Sequence, residues 1–358
     1  MAGPSERTLG DIIRTSAPAS QLPSGFSPEE RIVLTANGNL QRLISSYYNS
    51  TVSVAVKRNA KVAGSDGHYE REVELSVLGV AFATASSAVV LSVDRLVDAV
   101  ENHGVALGQL FRHFELLPTF ELLRASKRPD GSFERAYTLR ATGITCTIVE
   151  RFVPGLFTLG PAPSSRGQPL EPDGGAGAAG DAGARRTSAP HFGDIMAAAQ
   201  TGIELPAGDF SPLQRLLLTA NGNVQRIVSA FYGAPVNVDV LLSGRAQLGG
   251  HERHVSMSLF GVHFMTARSS VHLLEPAWQA AADAGVPLGS LFQHMGVLPA
   301  FALHSIGRAR GYFWRAYSLR CAGMACEIHE TFVDGVFELS ARAARDAQVS
   351  TAFGGHIC

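Results

Sequence analysis

The feature that most constrains this 358-residue chain is an internal duplication, because one domain-sized stretch of sequence is written twice. Thr35-Ala-Asn-Gly-Asn39 returns as Thr219-Ala-Asn-Gly-Asn223, and Gly10-Asp11-Ile12 returns as Gly193-Asp194-Ile195. The offset is 184 residues between positions 35 and 219 and 180 residues between positions 150 and 330, so the copies differ only by small loop changes. Solenoid units run to roughly 20–50 residues, so the repeated unit here is a whole domain.

The chain length and one biased segment set the domain boundaries. At roughly 100–200 residues per domain, the length predicts two domains. Residues 161–190 are rich in Gly, Ala and Pro and carry almost no large apolar side chains, which is typical of a flexible linker. We therefore expect copy 1 in residues 1–160, copy 2 in residues 191–345 and a C-terminal tail in residues 346–358.

The composition limits the kinds of partner. Charged residues make up 17% of the chain, against about 25% in typical proteins, so we expect apolar surface to be hidden between the copies in an intramolecular pseudo-dimer. The formal net charge of -1 argues against a nucleic-acid partner. The N-terminus lacks the apolar stretch of a signal peptide, and no run approaches the about 18 apolar residues of a membrane span. We expect a cytoplasmic protein with no membrane partner.

The four cysteines are too few for a disulfide scaffold in a chain of this length. Cys146 and Cys326 occupy equivalent places in the two copies, on the apolar side of a strand. This placement favours small buried hydrophobes over catalytic thiols. The other two are Cys321 and Cys358.

A short helical hairpin is predicted near the start of each copy. In copy 1, Ser27-Pro28-Glu29-Glu30 has the pattern of a capping box with Pro at the first helical position. In Asn37-Gly38-Asn39, the glycine supplies a left-handed residue that ends this helix, and Asn39 is placed to cap the next helix, 40–48. A DNA-binding helix-turn-helix is the alternative, which we disfavour because Arg42, or Arg226 in copy 2, is the only basic residue near the start of the second helix.

Segments that alternate between apolar and polar residues predict the sheet. Their period of two, with turn residues such as Pro129-Asp-Gly131 and Thr142-Gly143, indicates an antiparallel sheet with one buried face. Helical patterns lie at 92–102 and 107–117. The expected class is therefore α+β, with helices packed on an antiparallel sheet. The alternating segments of copy 1 are 51–56, 71–80, 83–91, 133–140 and 145–152.

Each copy places an arginine and a glutamate on the apolar face of a strand. Arg71 and Glu150 alternate in phase with apolar residues, and Arg253 and Glu330 repeat this in copy 2. A buried charge without a partner is costly, so the two residues either form a structural ion pair or line a closed apolar pocket. In the pocket hypothesis, Arg71 binds a ligand carboxylate bidentately, and Glu150 binds a hydroxyl at the far end.

A second arginine in each copy has two possible roles. Arg135 and Arg315 are in phase with Tyr137 and Tyr317, so they are expected to face the same interior. Each is either a second cation for the ligand or the structural partner that neutralises the glutamate on the neighbouring strand.

The order of these motifs resembles the chorismate lyase family, most closely its actinobacterial-type, 4-hydroxybenzoate-forming branch. The likeness spans roughly residues 25–158 and 209–340, and six motifs in order make it fairly specific. The motifs in copy 1 are the hairpin with Leu34-Thr-Ala-Asn-Gly-Asn39, the strand that begins at Arg71, the small-residue strand Ala83-Thr84-Ala85-Ser86, the turn Leu107-Gly108, the strand with Arg135-Ala-Tyr137 and the strand with Glu150-Arg-Phe152.

The resemblance implies an antiparallel sheet with helical flaps over an enclosed ligand site. It also implies that the leading arginines bind a carboxylate of chorismate or its product, that the glutamates are catalytic, and that a backbone amide of the Leu-Gly turn touches the ligand. These residues are Arg71 and Arg253, Glu150 and Glu330, and Leu107-Gly108 and Leu288-Gly289.

The implied reaction releases pyruvate from chorismate and needs no metal or organic cofactor. The sequence agrees, because it has no His-x-x-x-His pair, no Cys-x-x-Cys and no Gly-rich phosphate loop. The chain departs from the family in its tandem build, which leaves room for one copy to lose activity. Two hypotheses stand. The first is an enzyme, either a duplicated chorismate lyase or a related lyase or cyclase that acts on a small aromatic or cyclohexadiene acid. The second is a non-catalytic binder of such acids.

Overall fold

The computed structural model describes residues 22–161, 205, 208–246 and 250–340. The motifs at Gly10 and Gly193, segment 162–190 of the expected linker, and the tail 346–358 with Cys358 lie outside the described residues.

Each copy forms one antiparallel sheet of six strands. In copy 1 the strand order across the sheet is β1-β2-β3-β6-β5-β4, and in copy 2 it is β10-β11-β12-β9-β8-β7. The α+β class is thereby confirmed. The strands are β1 (Ser53–Lys61), β2 (His68–Val77), β3 (Val80–Leu91), β4 (Thr119–Lys127), β5 (Phe133–Ala141), β6 (Ile144–Phe152), β7 (Asn237–Arg245), β8 (His251–Leu259), β9 (Val262–Leu273), β10 (Ala300–Ala309), β11 (Tyr312–Cys321) and β12 (Met324–Val333).

The helices are short and follow the same order in the two copies. The helix predicted over 107–117 is a single 3-10 turn followed by a helix of four residues that ends at His113. Within the described ranges, no helix is both long enough and apolar enough to span a membrane. The helices are α1 (Pro28–Leu34), α2 (Leu40–Tyr48), α3 (Asp94–Glu101), α4 (Leu110–His113), α5 (Pro212–Thr219), α6 (Val224–Tyr232), α7 (Pro276–Asp283) and α8 (Leu291–Met295).

The hairpin start is confirmed, but its connection differs from the prediction. Ser27 accepts a hydrogen bond from the Glu30 backbone, and the Glu30 side chain returns one, which completes the capping box. Helix α1 ends at Leu34, so Gly38, with φ of 96°, lies inside the connection and not at the helix end. The Asn39 side chain makes no capping bond to α2, so its predicted capping role is wrong. It donates instead to Asn221 Oδ1 in copy 2, at 3.4 Å.

The sheet contains one strand per copy that the alternation did not predict, β4 in copy 1 and β10 in copy 2. Both lie at a sheet edge, where most side chains of β4 are half-buried or exposed. The pairing register of β4 shifts between Leu122 and Arg124, and that of β10 shifts between Leu303 and Ser305. A bulge moves the following side chains to the opposite face, so the period of two is lost.

The two copies pack against each other through their helical hairpins in a symmetric way. Arg31 Nε donates to Ala230 O at 2.9 Å, and Arg215 Nε donates to Ser46 O at 2.9 Å. The second nitrogen of each guanidinium donates to the next carbonyl, that of Phe231 or Tyr47. Because each contact is matched by its equivalent, the interface is isologous, as in a twofold dimer.

The repeated Thr-Ala-Asn-Gly-Asn motif lies in this interface. Arg226 Nη1 donates to Thr35 O at 2.6 Å and Nη2 donates to Asn37 Oδ1 at 2.7 Å, and Arg42 Nη1 donates to Thr219 O at 3.4 Å. Arg42 is 3% exposed and Arg226 is 7% exposed. Both arginines face the other copy and not the solvent, which removes the basis of the DNA-binding alternative.

A second contact joins the segments 107–117 and 288–298, which we call the lids of copy 1 and copy 2. Leu116 and Val297 form an isolated antiparallel bridge between the lids. Leu298 N donates to Glu115 O at 3.3 Å. Phe111 and Phe292 belong to one buried apolar cluster that contains residues of both copies. The copies therefore share a core at two places, the hairpins and the lids.

We expect the double variant Arg31→Ala, Arg215→Ala to destabilise the protein strongly. Each guanidinium makes two hydrogen bonds to carbonyls of the other copy, and a hydrogen bond to a charged group contributes about 1.5–3 kcal/mol. The free energy of unfolding in denaturant measures the loss. The control is Arg58→Ala, which breaks an exposed ion pair with Glu70 and is expected to change stability by less than about 1 kcal/mol. Equal losses in the two variants would contradict a stabilising role for the hairpin interface.

Candidate active site

Each copy has a partly open cavity between the inner face of its sheet, the start of the second hairpin helix and its lid. The cavity volumes are about 110 Å³ in copy 1 and about 90 Å³ in copy 2. Most of the lining is aliphatic or aromatic. The polar residues that line the cavity are Gln41, Arg71, Ser87, Tyr137, Cys146 and Glu150 in copy 1, and Gln225, Arg253, Ser269, Tyr317, Cys326 and Glu330 in copy 2.

The strand register explains why Arg71 and Glu150 share one cavity. On β3, Ser87 pairs with Arg71 of β2, and Ala85 pairs with Glu150 of β6. Positions 85 and 87 are two residues apart on one strand, so all four side chains stand on the same face of the sheet. Two strand spacings separate β2 from β6, which sets the charged residues about 10 Å apart across the sheet.

The arginine end of the cavity is closed by the lid. Leu107 and Gly108 line the cavity beside Arg71, and Leu288 and Gly289 do so beside Arg253. A Cβ atom added at Gly108 would lie 3.4 Å from Arg71 Nη1, and one added at Gly289 would lie 3.0 Å from Arg253 Cζ. Glycine therefore lets the lid backbone approach the guanidinium group closely. The structure thus brings together the arginines and the Leu-Gly turns that the sequence singled out.

Burial sets the electrostatics at this end. Loss of solvent lowers the pKa of the Arg71 guanidinium and, in the same way, that of Arg253. The direction means that the charged form is disfavoured by its surroundings. An anion bound in the cavity would offset that cost.

The glutamate end is a buried network of three side chains. Arg135 Nε donates to Glu150 Oε2 at 2.7 Å, and Tyr137 OH donates to Glu150 Oε1 at 2.9 Å. The Arg135 guanidinium carbon also lies 4.4 Å from the centre of the Tyr137 ring, in cation–π contact. Copy 2 repeats both hydrogen bonds at the same two distances with Arg315, Tyr317 and Glu330.

The contacts of Arg135 match one of its two predicted roles, that of a partner for the glutamate. Arg135 and Arg315 are 0% exposed and are not among the residues that line the cavities. Arg135 Nη1 donates to Ala36 O at 2.6 Å and to Leu34 O at 3.2 Å. The structure therefore shows both arginines as partners of the glutamates, and their inclusion among the substrate-binding residues stays a prediction.

The cysteine of each cavity is a neutral thiol. Burial raises the pKa of Cys146 to about 12 and, likewise, that of Cys326 to about 12. A thiol with so high a pKa carries almost no thiolate at neutral pH, and only the thiolate is a strong nucleophile. This agrees with the prediction that these cysteines act as small buried hydrophobes.

Sequence reasoning missed two polar groups of the cavity, Gln41 and Ser87. Gln41 lies two residues after the repeated Asn-Gly-Asn pattern, and Gln225 has the same position in copy 2. This repetition was the signal in the sequence that could have identified it. Ser87 lies two residues beyond Ala85 on one strand face, but nothing in the alternation separates a cavity position from a packed one.

The two cavities keep the same polar groups at every equivalent position. The lining differs at Leu40 against Val224 and at Leu75 against Met257, and Val54 lines only the first cavity and Met324 only the second; all of these residues are apolar. Among the described residues, no group of three or more His, Cys, Asp or Glu side chains has a geometry that would hold a metal ion.

Comparison with known proteins assigns no family to this chain. No protein-family model matches the sequence. No curated protein matches it either.

Proposed function

We propose that the chain is a cofactor-independent lyase that converts chorismate to 4-hydroxybenzoate and pyruvate, or a closely related lyase or cyclase that acts on a small ring acid. The observation that carries the proposal is a largely apolar cavity with a half-buried arginine at one end and a hydrogen-bonded glutamate at the other, present in both copies. The motif order that resembles chorismate lyase supplies the choice of substrate.

The size of the cavities supports a ligand with a single ring. An engineered apolar cavity of about 150 Å³ holds benzene, and the two cavities here are of that order. The aliphatic walls suit a ring, and the polar groups at the ends fix its direction.

The arginine end suits the ring carboxylate. Arg71 has a planar guanidinium that can bind a carboxylate bidentately, and Ser87 stands opposite it on the next strand with a hydroxyl donor. The Gly108 backbone lies against the same guanidinium group, which places it close to an anion bound there.

The glutamate end suits the hydroxyl-bearing carbon of the ring. Each oxygen of Glu150 accepts one hydrogen bond from the protein, and a carboxylate oxygen has two lone pairs, so each can accept another from a ligand.

In the reaction, the ring C–O bond to the enolpyruvyl group breaks and its electron pair leaves with the oxygen. The ring loses a proton and becomes aromatic, and the enolpyruvate takes up a proton to become pyruvate. Glu150 would orient the hydroxyl and assist that proton transfer.

A non-catalytic binder of small aromatic acids is the second candidate. The observation that favours it is that Arg135 and Tyr137 already occupy one site on each Glu150 oxygen, as in a structural ion pair. Incubating the purified protein with chorismate and measuring released pyruvate separates the two candidates. Pyruvate release above the spontaneous rate supports the lyase, and tight binding of 4-hydroxybenzoate without release supports the binder.

We expect Arg→Lys at positions 71 and 253 to weaken binding of 4-hydroxybenzoate by roughly tenfold to more than a hundredfold. A lysine cannot reproduce the planar fork, and a hydrogen bond to a charged group contributes about 1.5–3 kcal/mol. Calorimetry measures the affinity, and each substitution made alone reports on one cavity. Arg112→Lys, on the fourth helix and outside the cavity lining, is the control. Unchanged affinity in the double variant would remove these arginines as the carboxylate anchors.

We expect Glu→Gln at positions 150 and 330 to abolish most turnover and also to lower stability by about 3–5 kcal/mol. The loss of stability follows because Arg135 and Arg315 would remain buried without a counter-charge. Rates are therefore measured per folded molecule, below the melting temperature of the variant.

The matched control for this experiment is Tyr→Phe at positions 137 and 317. It removes one hydrogen bond from each glutamate but keeps the ion pair, so we expect a stability loss of about 1 kcal/mol for each site. If Glu→Gln destabilises the protein but leaves the rate per folded molecule unchanged, the glutamates are structural only.

A further inference from the structure

An open sheet edge in copy 2 exposes three consecutive apolar side chains. Strand β7 is the last strand of its sheet, so one side of its backbone has no neighbouring strand among the described residues. At its middle, Leu241 is 66% exposed and Leu242 is 44% exposed, beside the exposed Val240. Within the described part of the chain, none of the three belongs to a buried apolar cluster. A sheet edge with exposed apolar residues is prone to pair with another chain.

The equivalent edge of copy 1 is protected by charge. Strand β1 has Lys57 and Arg58 where β7 has Leu241 and Leu242. Both charged residues form ion pairs with glutamates of β2, at 3.1 Å and 2.9 Å. The pairing register of β1 and that of β7 shift at this same point, so a bulge is common to the two edges. The edges therefore differ in charge, which natural proteins use to prevent pairing at a sheet edge.

Leu242 lies on the outer face of the sheet, away from the cavity. It pairs with His254 of β8, whose neighbours Arg253 and Val255 line the cavity. Since side chains alternate between the two faces of a strand, His254 and Leu242 point to the opposite side. The β7 edge is therefore a surface separate from the candidate active site.

The charges of β7 favour a second copy of the chain as the partner. The apolar centre of the strand has Asp239 before it and Arg245 after it. Antiparallel pairing of two β7 strands brings the acidic end of each beside the basic end of the other, while the apolar centres meet. Arg245 also forms an exposed ion pair with Asp283, at 3.1 Å, and its guanidinium has further donors.

Strand β1 does not offer the same match. Its centre carries Lys57 and Arg58, and it contains no acidic residue. In a pair of two β1 strands these cations would meet like charges, and in a pair of β1 with β7 they would meet leucines. Of these two edges, the charge pattern therefore selects pairing of β7 with itself.

We propose that two molecules of this chain form a dimer through their β7 strands, which lie antiparallel about a twofold axis near Leu241. The contact is isologous, so it closes after two molecules and leaves no free β7 edge. Nine residues at about 3.4 Å each give a contact only about 30 Å long, so the dimer is reversible and dissociates on dilution. The inference does not depend on the proposed function.

Sedimentation velocity over a range of protein concentrations tests the dimer. We expect the wild type to shift from monomer to dimer as the concentration rises. The double variant Leu241→Lys, Leu242→Arg gives β7 the charges of β1, and we expect it to weaken dimerisation by at least about tenfold. The control Leu123→Lys changes another exposed leucine, on edge strand β4, and is expected to leave the dimer unchanged.

A cross-linking experiment locates the contact and does not depend on the charged variant being folded. Position 241 lies nearest to the twofold axis, and directly opposed residues of antiparallel strands have Cα atoms about 4.5–5.5 Å apart, which suits a disulfide. Under mild oxidation we expect Leu241→Cys to form a covalent dimer. Lys57→Cys, at the equivalent position of copy 1, is expected to form none above the wild-type background.

Three results would overturn the proposal. The first is a wild type that stays monomeric at every concentration. The second is a folded Leu241→Lys, Leu242→Arg variant that dimerises as strongly as the wild type. The third is equal cross-linking through positions 57 and 241, because the contact would then not be specific to β7.

Discussion

The structure of each copy depends on one buried guanidinium group. Arg135, on β5, donates to Glu150 on β6 and to the carbonyls of Leu34 and Ala36, in the connection between the hairpin helices. A single side chain thus joins two strands to the helical hairpin. Since that hairpin forms part of the interface between the copies and supplies one wall of the cavity, the same contact positions both. Arg315 makes the equivalent contacts in copy 2. Loss of one partner of such a group strongly destabilises the fold, because the remaining charge would stay buried.

Much of the fold was predictable because sequence periodicity and the duplication report directly on local structure. The capping box at Ser27, the strands that carry Arg71 and Glu150, and the position of both residues on the inner face all follow from spacing along the chain. Strands β4 and β10 were missed because bulges at Leu122 and Leu303 interrupt the alternation. The alternation of apolar and polar residues identifies the inner face of a strand only where the pairing register is unbroken.

The rest of the site depends on contacts between distant parts of the chain, which spacing does not encode. The alternation places Arg135 inside but cannot say whether it meets a ligand or the glutamate, and the carbonyls that hold it are about a hundred residues away, at a separation of 99 for Ala36. Asn39 shows the same limit. Its position before a helix predicts a cap, yet its side chain donates across the interface to Asn221. The capping rule fails here because the Asn39 side chain makes a contact with copy 2, which exists only because the domain is present twice.

The bridge between Leu116 and Val297 has a consequence for how the two cavities fill. Each lid covers its own cavity through Leu107 or Leu288 and also packs on the other lid through the cluster that contains Phe111 and Phe292. Moving one lid away from its cavity would remove apolar contacts from the other, so the free energy of such a movement would depend on the state of both. That dependence is the physical condition for cooperativity between two sites on a single chain.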